Sequence, residues 1–320
     1  MNWTVVENET KSSALIRVVG VGGAGGNAVN HMVESGIEGV QMICANTDEQ
    51  ALDTNLAELK ITLGTGISNG LGAGGKPEVG RDAALDDLER IKTLLEGSDM
   101  VFVAAGMGGG TGTGAAPVVA RVAHSMEVLT VAIVTLPFAF EGKRRMKTAL
   151  EGVEKLREHT DTLLVIPNDK LYDATTINTS LIEAFHLVDT VLMNAIQGIT
   201  DLVNGVGDIN VDFADVQTIM QNMGKAVIGK GTAAGKDRMN LAMQDALQSS
   251  LMEDVDIRGA KGILVHVLGP ADTSAFEISE AMGAIENLAD EDVNLIWGAT
   301  FDEKIEDYVT ITIIATGLDH

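Results

Sequence analysis

The feature that most restricts the fold of this chain is a glycine-rich segment, Gly106–Gly114 (GMGGGTGTG), with six glycines in nine residues. It follows an apolar run, Met100–Ala105, and precedes a predicted helix from about Ala115 to Ser125. Glycine tolerates the positive φ angles that a nest of backbone N–H groups around an anion requires. Because so many glycines in a purely structural turn would only add to the entropy cost of folding, the segment predicts a phosphate-binding loop at a strand–helix junction.

A second glycine segment, Gly20–Gly25 (GVGGAG), matches G-x-G-x-x-G between a predicted strand, Ala14–Val19, and a predicted helix, Asn27–Ser35. In a dinucleotide-binding fold the acidic residue after the next strand, here Asp48, binds a ribose hydroxyl. For a lone match of this kind, a tight turn without a ligand stays an alternative. Two such loops on one sheet, however, suggest a phosphate chain that is held from two sides. Neither contains the GK[ST] sequence of a P-loop.

A third glycine-rich segment, Leu71–Gly80 (LGAGGKPEVG), has two interpretations. It is either a loop that closes over the ligand or a mobile surface loop.

The first half of the chain alternates short apolar runs with helical patterns, which is typical of a parallel sheet covered by helices. The runs are continuous rather than alternating, as in strands that are buried on both faces. We therefore expect an α/β, Rossmann-like domain. Its predicted strands are Ala14–Val19, Val40–Ala45, Met100–Ala105, Val128–Thr135 and Thr162–Ile166.

Apolar residues recur in steps of three and four from about Ser180 to Val203, which predicts one long helix. Such a helix could join two domains, although its periodicity alone also fits an ordinary core helix. Beyond a boundary at Asn204–Asn210 we expect a smaller α+β unit, which gives domains at 1–179, 180–204 and 205–320. Its predicted elements are helices at Phe213–Met223, Leu241–Leu251 and Ala275–Asn287, a glycine-rich segment at Gly229–Lys236, and strands at Gly262–Leu268, Val293–Ala299 and Tyr308–Ala315.

Composition excludes several classes of function. The 320 residues carry 46 acidic and 22 basic side chains, a formal net charge of −24, which argues against binding to nucleic acid or directly to an anionic membrane. The single Cys44 excludes a disulfide framework, and no Cys/His cluster has the spacing of a metal site. We find neither a signal sequence nor a membrane span, so we expect a cytoplasmic protein.

The segments together resemble the tubulin/FtsZ superfamily, and most closely its bacterial cell-division members. The resemblance covers about Ala14 to Gly317. It implies a GTPase that uses GTP/GDP with Mg²⁺, a GTP-binding domain joined by a central helix to a C-terminal domain, and self-assembly into head-to-tail filaments. The motifs that carry it are Gly20–Val29, Asn46–Asp48, Leu71–Gly80, Gly108–Gly114, Pro137–Arg145, Ile166–Lys170 and Asn210–Val216.

The resemblance also assigns ligand-binding residues. Glu141 and Arg145 would hold the ribose and neighbouring groups, Asn168 and Asp189 would lie near the sugar and base, and Phe185 would stack on the guanine ring. Without the resemblance, Phe185 would be read as a core residue. The phosphates would be lined from one side by Gly22, Gly23, Ala24, Gly25, Gly26 and Asn27, and from the other by Gly108, Gly109, Gly110, Thr111, Gly112 and Thr113, with the two threonine hydroxyls donating to phosphate oxygens.

The glycine loops offer N–H donors but no group that orients water, so hydrolysis needs a residue from elsewhere. By sequence alone, Asp212 and Asp215 are read as ordinary carboxylates at a helix N-terminus. The resemblance instead implies that they enter the nucleotide site of the next subunit, with Asn210 assisting, and position the attacking water. Two other functions remain open at this point, an NAD(P)-dependent oxidoreductase and a nucleotide-binding scaffold without turnover.

In the family such proteins work at the mid-cell division ring, where a flexible C-terminal tail binds membrane tethers and other ring proteins. This sequence ends at Asp319-His320, soon after the last predicted strand. We therefore expect self-association to be retained, and recruitment through such a tail to be lacking.

Overall fold

A computed structural model describes residues 14–174, 179–203, 209–252 and 255–318. Most of the predicted 204–210 boundary, the N-terminal segment and the last two residues therefore lie outside the described residues. The strands are β1 Ile16–Val21, β2 Val40–Asn46, β3 Leu59–Thr62, β4 Met100–Gly106, β5 Leu129–Leu136, β6 Thr162–Pro167, β7 Gly224–Ala234, β8 Gly262–Gly269, β9 Asn294–Phe301 and β10 Tyr308–Thr316. The helices are α1 Gly22–Glu34, α2 Glu49–Asp53, α3 Thr65–Ser68, α4 Pro77–Asp86, α5 Leu88–Leu95, α6 Thr111–Ser125, α7 Lys143–Arg157, α8 Leu181–Val203, α9 Phe213–Met220, α10 Arg238–Leu247 and α11 Ala275–Glu286.

The ten strands form one sheet in the order β3-β2-β1-β4-β5-β6-β7-β10-β8-β9. The first six are parallel, as the continuous apolar runs predicted. The sheet continues into the second half because β6 pairs in parallel with the start of β7, Thr162 opposite Gly224. β10 is antiparallel to both β7 and β8, which makes the second half mixed. The predicted α/β class is confirmed, whereas the domain limits stay a prediction.

Helix α8 begins and ends within one residue of its predicted limits. Its apolar stripe packs in a core that also contains Val29 and Met32 of α1, and Leu264 and Ile314 of the second half. The helix therefore contacts both halves of the chain, as expected for a connecting helix. Among the described residues, no helix is both long and apolar enough to cross a membrane.

Most of the glycine-rich segment Gly229–Lys236, for which the sequence predicted no element, belongs to β7. Helix α10 crosses the strand at Gly229 and Gly231, where a Cβ would collide with the backbone oxygens of Ala246 and Ala242. These glycines therefore allow a close approach between helix and strand.

Several predicted boundaries were also wrong. Helix α9 ends at Met220 rather than Met223, since Asn222 and Gly224 both have positive φ. Helix α10 spans Arg238–Leu247 instead of Leu241–Leu251. Helices α1 and α6 begin at Gly22 and Thr111, four to five residues before the predicted starts. Parts of the predicted glycine loops are thus the first turns of helices.

Candidate functional site

A cavity of about 420 Å³ lies at the carboxyl edge of the parallel strands. Residues at or just after strand ends contribute to it, among them Asn46, Gly106, Thr135 and Asn168. In open parallel sheets this edge is where ligands bind.

One wall of the cavity is formed by the N-termini of two neighbouring helices, α1 and α6. They pack so closely that a Cβ on Gly22 would lie 2.8 Å from the amide nitrogen of Gly112. Neither helix has an acidic residue in its first turn. The first N–H groups of a helix lack intrahelical acceptors, and the helix dipole makes this end positive. Two such ends side by side form a site for a multiply charged anion.

The third glycine segment forms another wall. Leu71, Gly72, Ala73 and Gly74 line the cavity, and α4 begins just beyond them at Pro77. The loop lies directly against the glycine run, because a Cβ on Gly110 would be 2.7 Å from Ala73 Cβ and 2.9 Å from the amide nitrogen of Lys76. A 2.6 Å hydrogen bond between the buried hydroxyls of Thr47 and Thr111 further holds α6 against the end of β2.

The opposite wall carries charged and aromatic side chains. Glu141 Oε1 accepts a 2.9 Å hydrogen bond from the Phe138 amide, and Glu141 Oε2 pairs with Arg145 at 3.0 Å. Phe138 contacts Phe185 edge to face, with ring centroids 5.6 Å apart. Phe185 nevertheless keeps 41% of its surface exposed at the cavity. An exposed ring at the margin of a polar cavity is suited to stacking on a planar ligand.

Two polar side chains that line the cavity can accept hydrogen bonds from a ligand. Asn168 is buried, and its Oδ1 atom has no hydrogen-bond partner among the described residues. A buried acceptor in this condition costs free energy unless a ligand or water donates to it. Burial also raises the pKa of Asp189 to about 6, although nearby His186 opposes the shift. Donors on a bound ligand would satisfy both oxygens.

The cavity brings together most of the predicted binding residues. Gly22, Gly25, Gly26, Gly108 and Thr113 do not line it. The first four shape the backbone, and the Thr113 hydroxyl accepts a 2.8 Å hydrogen bond from the Gly108 amide; its contact with phosphate stays a prediction. The predicted residues that do line it are Gly23, Ala24, Asn27, Gly109, Gly110, Thr111, Gly112, Glu141, Arg145, Asn168, Phe185 and Asp189.

Sequence reasoning had singled out Asp48 and the 71–80 loop but missed other lining residues. Most of these follow a strand end or lie one helical turn from a predicted residue, which is the signal that could have found them. They are Ala51, Thr135 and Val188.

The predicted catalytic residues lie elsewhere. Asp189 of α8 lines the cavity, and the helix runs on to Val203, 14 residues or ~21 Å further along its axis. Beside that far end the Val211 amide donates to Leu202 O at 3.3 Å, and Ile209 bridges to Ala299 of β9. Asn210, Asp212 and Asp215 are therefore exposed at a distance from the cavity of their own chain.

Asp212 occupies the position before the first turn of α9, but its side chain makes no capping hydrogen bond. The Asp212 carboxylate therefore does not cap α9 through a hydrogen bond, as the helix-cap interpretation requires. Asp215 lies in the first turn, where a negative charge is favourable in any case.

Comparison with known proteins gives a consistent result. Residues 15–176 match the model of the Tubulin/FtsZ family, GTPase domain, and residues 224–319 match that of the FtsZ family, C-terminal domain. The chain is 50% identical over 306 residues to Cell division protein FtsZ of Pseudomonas aeruginosa, covering 96% of this chain and 78% of the relative. It is 51% identical over 306 residues to that of Pseudomonas putida, covering 96% of this chain and 77% of the relative.

Solved structures agree. An empty FtsZ dimer from M. jannaschii superposes with a TM-score of 0.92 at 47% identity, covering 97% of this chain and 90% of the other. CetZ2 from Haloferax volcanii, solved as a GTPgS-bound protofilament, has a TM-score of 0.81 at 22% identity, covering 96% and 94%. The second likeness concerns the fold alone.

Proposed function

The chain belongs to the tubulin/FtsZ family, and on that premise we propose that it is a GTP-hydrolysing cell-division protein whose copies assemble head to tail into filaments. The observation that carries the proposal is the cavity itself. Two helix N-termini meet at it, and the Oδ1 atom of buried Asn168, which also lines it, has no hydrogen-bond partner among the described residues. GTPase activity and self-assembly follow from the family match. A hydride-transferring oxidoreductase and a scaffold without turnover are thereby disfavoured.

We assign the ends of the nucleotide within the cavity as follows. The triphosphate lies against the first turns of α1 and α6, where Gly23 and Gly109 leave open space on their Cβ sides. Arg145 supplies a positive charge and Glu141 accepts from ribose. The Asp189 carboxylate accepts from the N1–H and N2 amino groups of guanine, while Phe185 stacks on its ring. In this arrangement the charges of Arg145, Glu141 and Asp189 suit the parts of the nucleotide that they contact: the cation lies near the phosphates, and the two carboxylates accept hydrogen bonds.

Hydrolysis, in our proposal, is completed by a second copy of the chain. Within one chain the ~21 Å between Asp189 and the end of α8 far exceeds the hydrogen-bond distance at which a carboxylate can position a water. Asp212 and Asp215 are exposed, and Asp212 has no capping bond that would hold it. A head-to-tail contact brings this end of one copy to the cavity of the next, where the two carboxylates orient the attacking water and Asn210 assists.

We further propose that Mg²⁺ accompanies the triphosphate. No group of three or more His, Cys, Asp or Glu side chains among the described residues forms a metal cage. This fits Mg²⁺, which commonly binds substrate phosphates and water with one or two protein carboxylates. Asp48 and Glu141 are cavity carboxylates that could supply such a ligand. When bound, the ion would neutralise phosphate charge.

We place the protein in the cytoplasm at the mid-cell division site, attached to the membrane through other division proteins rather than directly. The name of its relatives supports the cell-division role. The net charge of −24 disfavours direct contact with anionic lipid.

The decisive experiment measures phosphate release and light scattering together over a series of protein concentrations, with GTP and with GDP. The proposal expects turnover per molecule to rise as filaments form, and scattering to increase with GTP. Turnover per molecule that stays constant on dilution would contradict hydrolysis at a subunit contact.

A further inference from the structure

A second and larger cavity, of about 880 Å³, lies between α4, α6 and α7. Leu85, which is 36% exposed, contributes apolar surface to it, whereas Pro117 and Val118 line it but are buried. Glycines keep the helices close together here, since a Cβ on Gly152 would collide with the Thr113 side chain and one on Gly114 with backbone of α4. Apart from a margin at Gly109 and Gly110, Glu141 and Arg145, the cavity shares no lining with the nucleotide site. Its residues therefore need a separate explanation.

Charge along this groove is opposite to that of the chain as a whole. The chain has about two acidic residues for each basic one. The groove has six lysines and arginines against four glutamates, Glu78, Glu141, Glu151 and Glu158. More than a quarter of the 22 basic side chains are thus gathered on one surface. The six are Lys76, Arg81, Arg121, Arg144, Arg145 and Lys155.

These cations are largely uncompensated. Arg145 pairs with Glu141, and Arg81 with its neighbour Asp82. In the described part of the chain, no salt bridge involves Arg121, Arg144 or Lys155. These three unpaired cations make the groove attractive to a negatively charged ligand, although the protein as a whole is acidic.

The dimensions indicate the kind of anion. Arg144 and Lys155 are separated by 11 residues of α7, or ~17 Å, and Arg121 faces them from α6. A single phosphate is too small to contact charges so far apart. The exposed side chain of Leu85 in the same groove offers nothing to a purely ionic polymer, whereas an apolar side chain of a peptide can pack on it.

We propose that this groove is a docking site for an acidic peptide segment of a partner protein, in which carboxylates alternate with apolar side chains. The carboxylates contact Arg121, Arg144 and Lys155, and an apolar side chain of the peptide packs on Leu85. The proposal does not depend on the assignment of catalytic residues.

The test uses fluorescence anisotropy with a fluorescein-labelled peptide of repeated Glu-Glu-Leu units and the full chain. The charge-reversal variant combines Arg121→Glu with Lys155→Glu, and a milder variant combines Arg121→Gln with Lys155→Gln, in case the reversal perturbs folding. The matched control combines Lys92→Glu with Lys304→Glu, which changes the net charge equally at exposed lysines outside the groove.

We expect the reversal to weaken peptide binding at least about tenfold, the neutral variant to weaken it less, and the control to stay within about twofold. Binding of a Lys-Lys-Leu peptide to the acidic remainder of the surface should not be weakened by the groove substitutions, and a Glu-Glu-Ser peptide should bind more weakly than Glu-Glu-Leu. Equal affinities for the groove variants and the control would overturn the proposal. So would linear polyphosphate binding to the groove more tightly than the Glu-Glu-Leu peptide, which would identify an ionic polymer as the ligand.

Discussion

If Asp212 acts on the nucleotide of a neighbour, two inactive variants should restore activity when mixed. The first is Asp212→Ala, which keeps the nucleotide cavity. The second is Gly23→Asp, which keeps Asp212 but places a carboxylate in that cavity. A Cβ on Gly23 meets no atom within 4 Å, and an acidic residue in the first turn of a helix is favourable. The second variant should therefore fold normally and lose nucleotide affinity.

The size of that loss follows from Coulomb's law. A carboxylate about 4 Å from one phosphate charge costs roughly 4 kcal/mol at an effective dielectric constant near 20, or roughly a thousandfold in affinity. The neutral control Gly23→Ala should weaken GTP binding by much less than Gly23→Asp, because its methyl group carries no charge.

The GTP turnover that returns on mixing depends on how often a subunit that binds GTP lies next to a subunit with an intact Asp212. In an equal mixture, about half of the subunits bind GTP, and about half of those meet a neighbour with an intact Asp212. At most about a quarter of the parental turnover per molecule should therefore return, since a head-to-tail contact joins unlike surfaces of two copies. Hydrolysis within one chain would restore none, since each variant lacks one of the two parts.

The assay is phosphate release at a constant total protein concentration, for each variant alone and for the mixture. The control mixture replaces Gly23→Asp by the double variant Gly23→Asp with Asp212→Ala, which should restore nothing. A mixture no faster than the sum of its separate components would refute the composite site.

Three further predictions concern binding and stability. GTP affinity should fall as the pH drops through about 6, because guanine needs the Asp189 carboxylate and burial raises the pKa of that group to about 6. Nucleotide titrations at several pH values should show a shallower pH dependence for Asp189→Asn than for the parent. The nucleotide phosphates titrate in the same way in both proteins, so the difference between the two reports on Asp189. Gly110→Ala should weaken GTP binding about tenfold or more by displacing the loop at Lys76, whereas Gly66→Ala, which lies outside the cavity and has no atom within 4 Å of its Cβ, should stay within about twofold in the same titration. Gly229→Ala should lower the free energy of unfolding in urea by about 1–3 kcal/mol, because its Cβ would collide with Ala246 O and Met252 Sδ; the control Gly283→Ala, in an open part of α11, should be neutral or stabilising by up to about 1 kcal/mol.

The outcome for the site residues shows where sequence reasoning reaches its limit. The glycine run and its neighbouring strand and helix were placed from local pattern, as was α8. The roles of Phe185 and Asp189 came from family resemblance, since a periodic apolar stripe looks the same whether it faces a core or a ligand. Thr113 was assigned to phosphate, and in the structure its hydroxyl accepts from Gly108 within its own loop and lies outside the cavity lining. Which donor a hydroxyl meets depends on the folded loop, which residue type does not reveal.

The sequence by itself determined the class of fold, the glycine-dependent turns and the excess of negative charge. These are local or additive properties: a turn with positive φ needs a residue without a side chain, and strands buried on both faces need continuous apolar runs. Only the tertiary structure decided that Gly229 and Gly231 belong to a strand, because the need for them comes from α10 packing across it. It also decided that Asp212 lies far from its own cavity, and that cations from three helices share one groove. Such distances depend on contacts between residues remote in sequence, which no local pattern encodes.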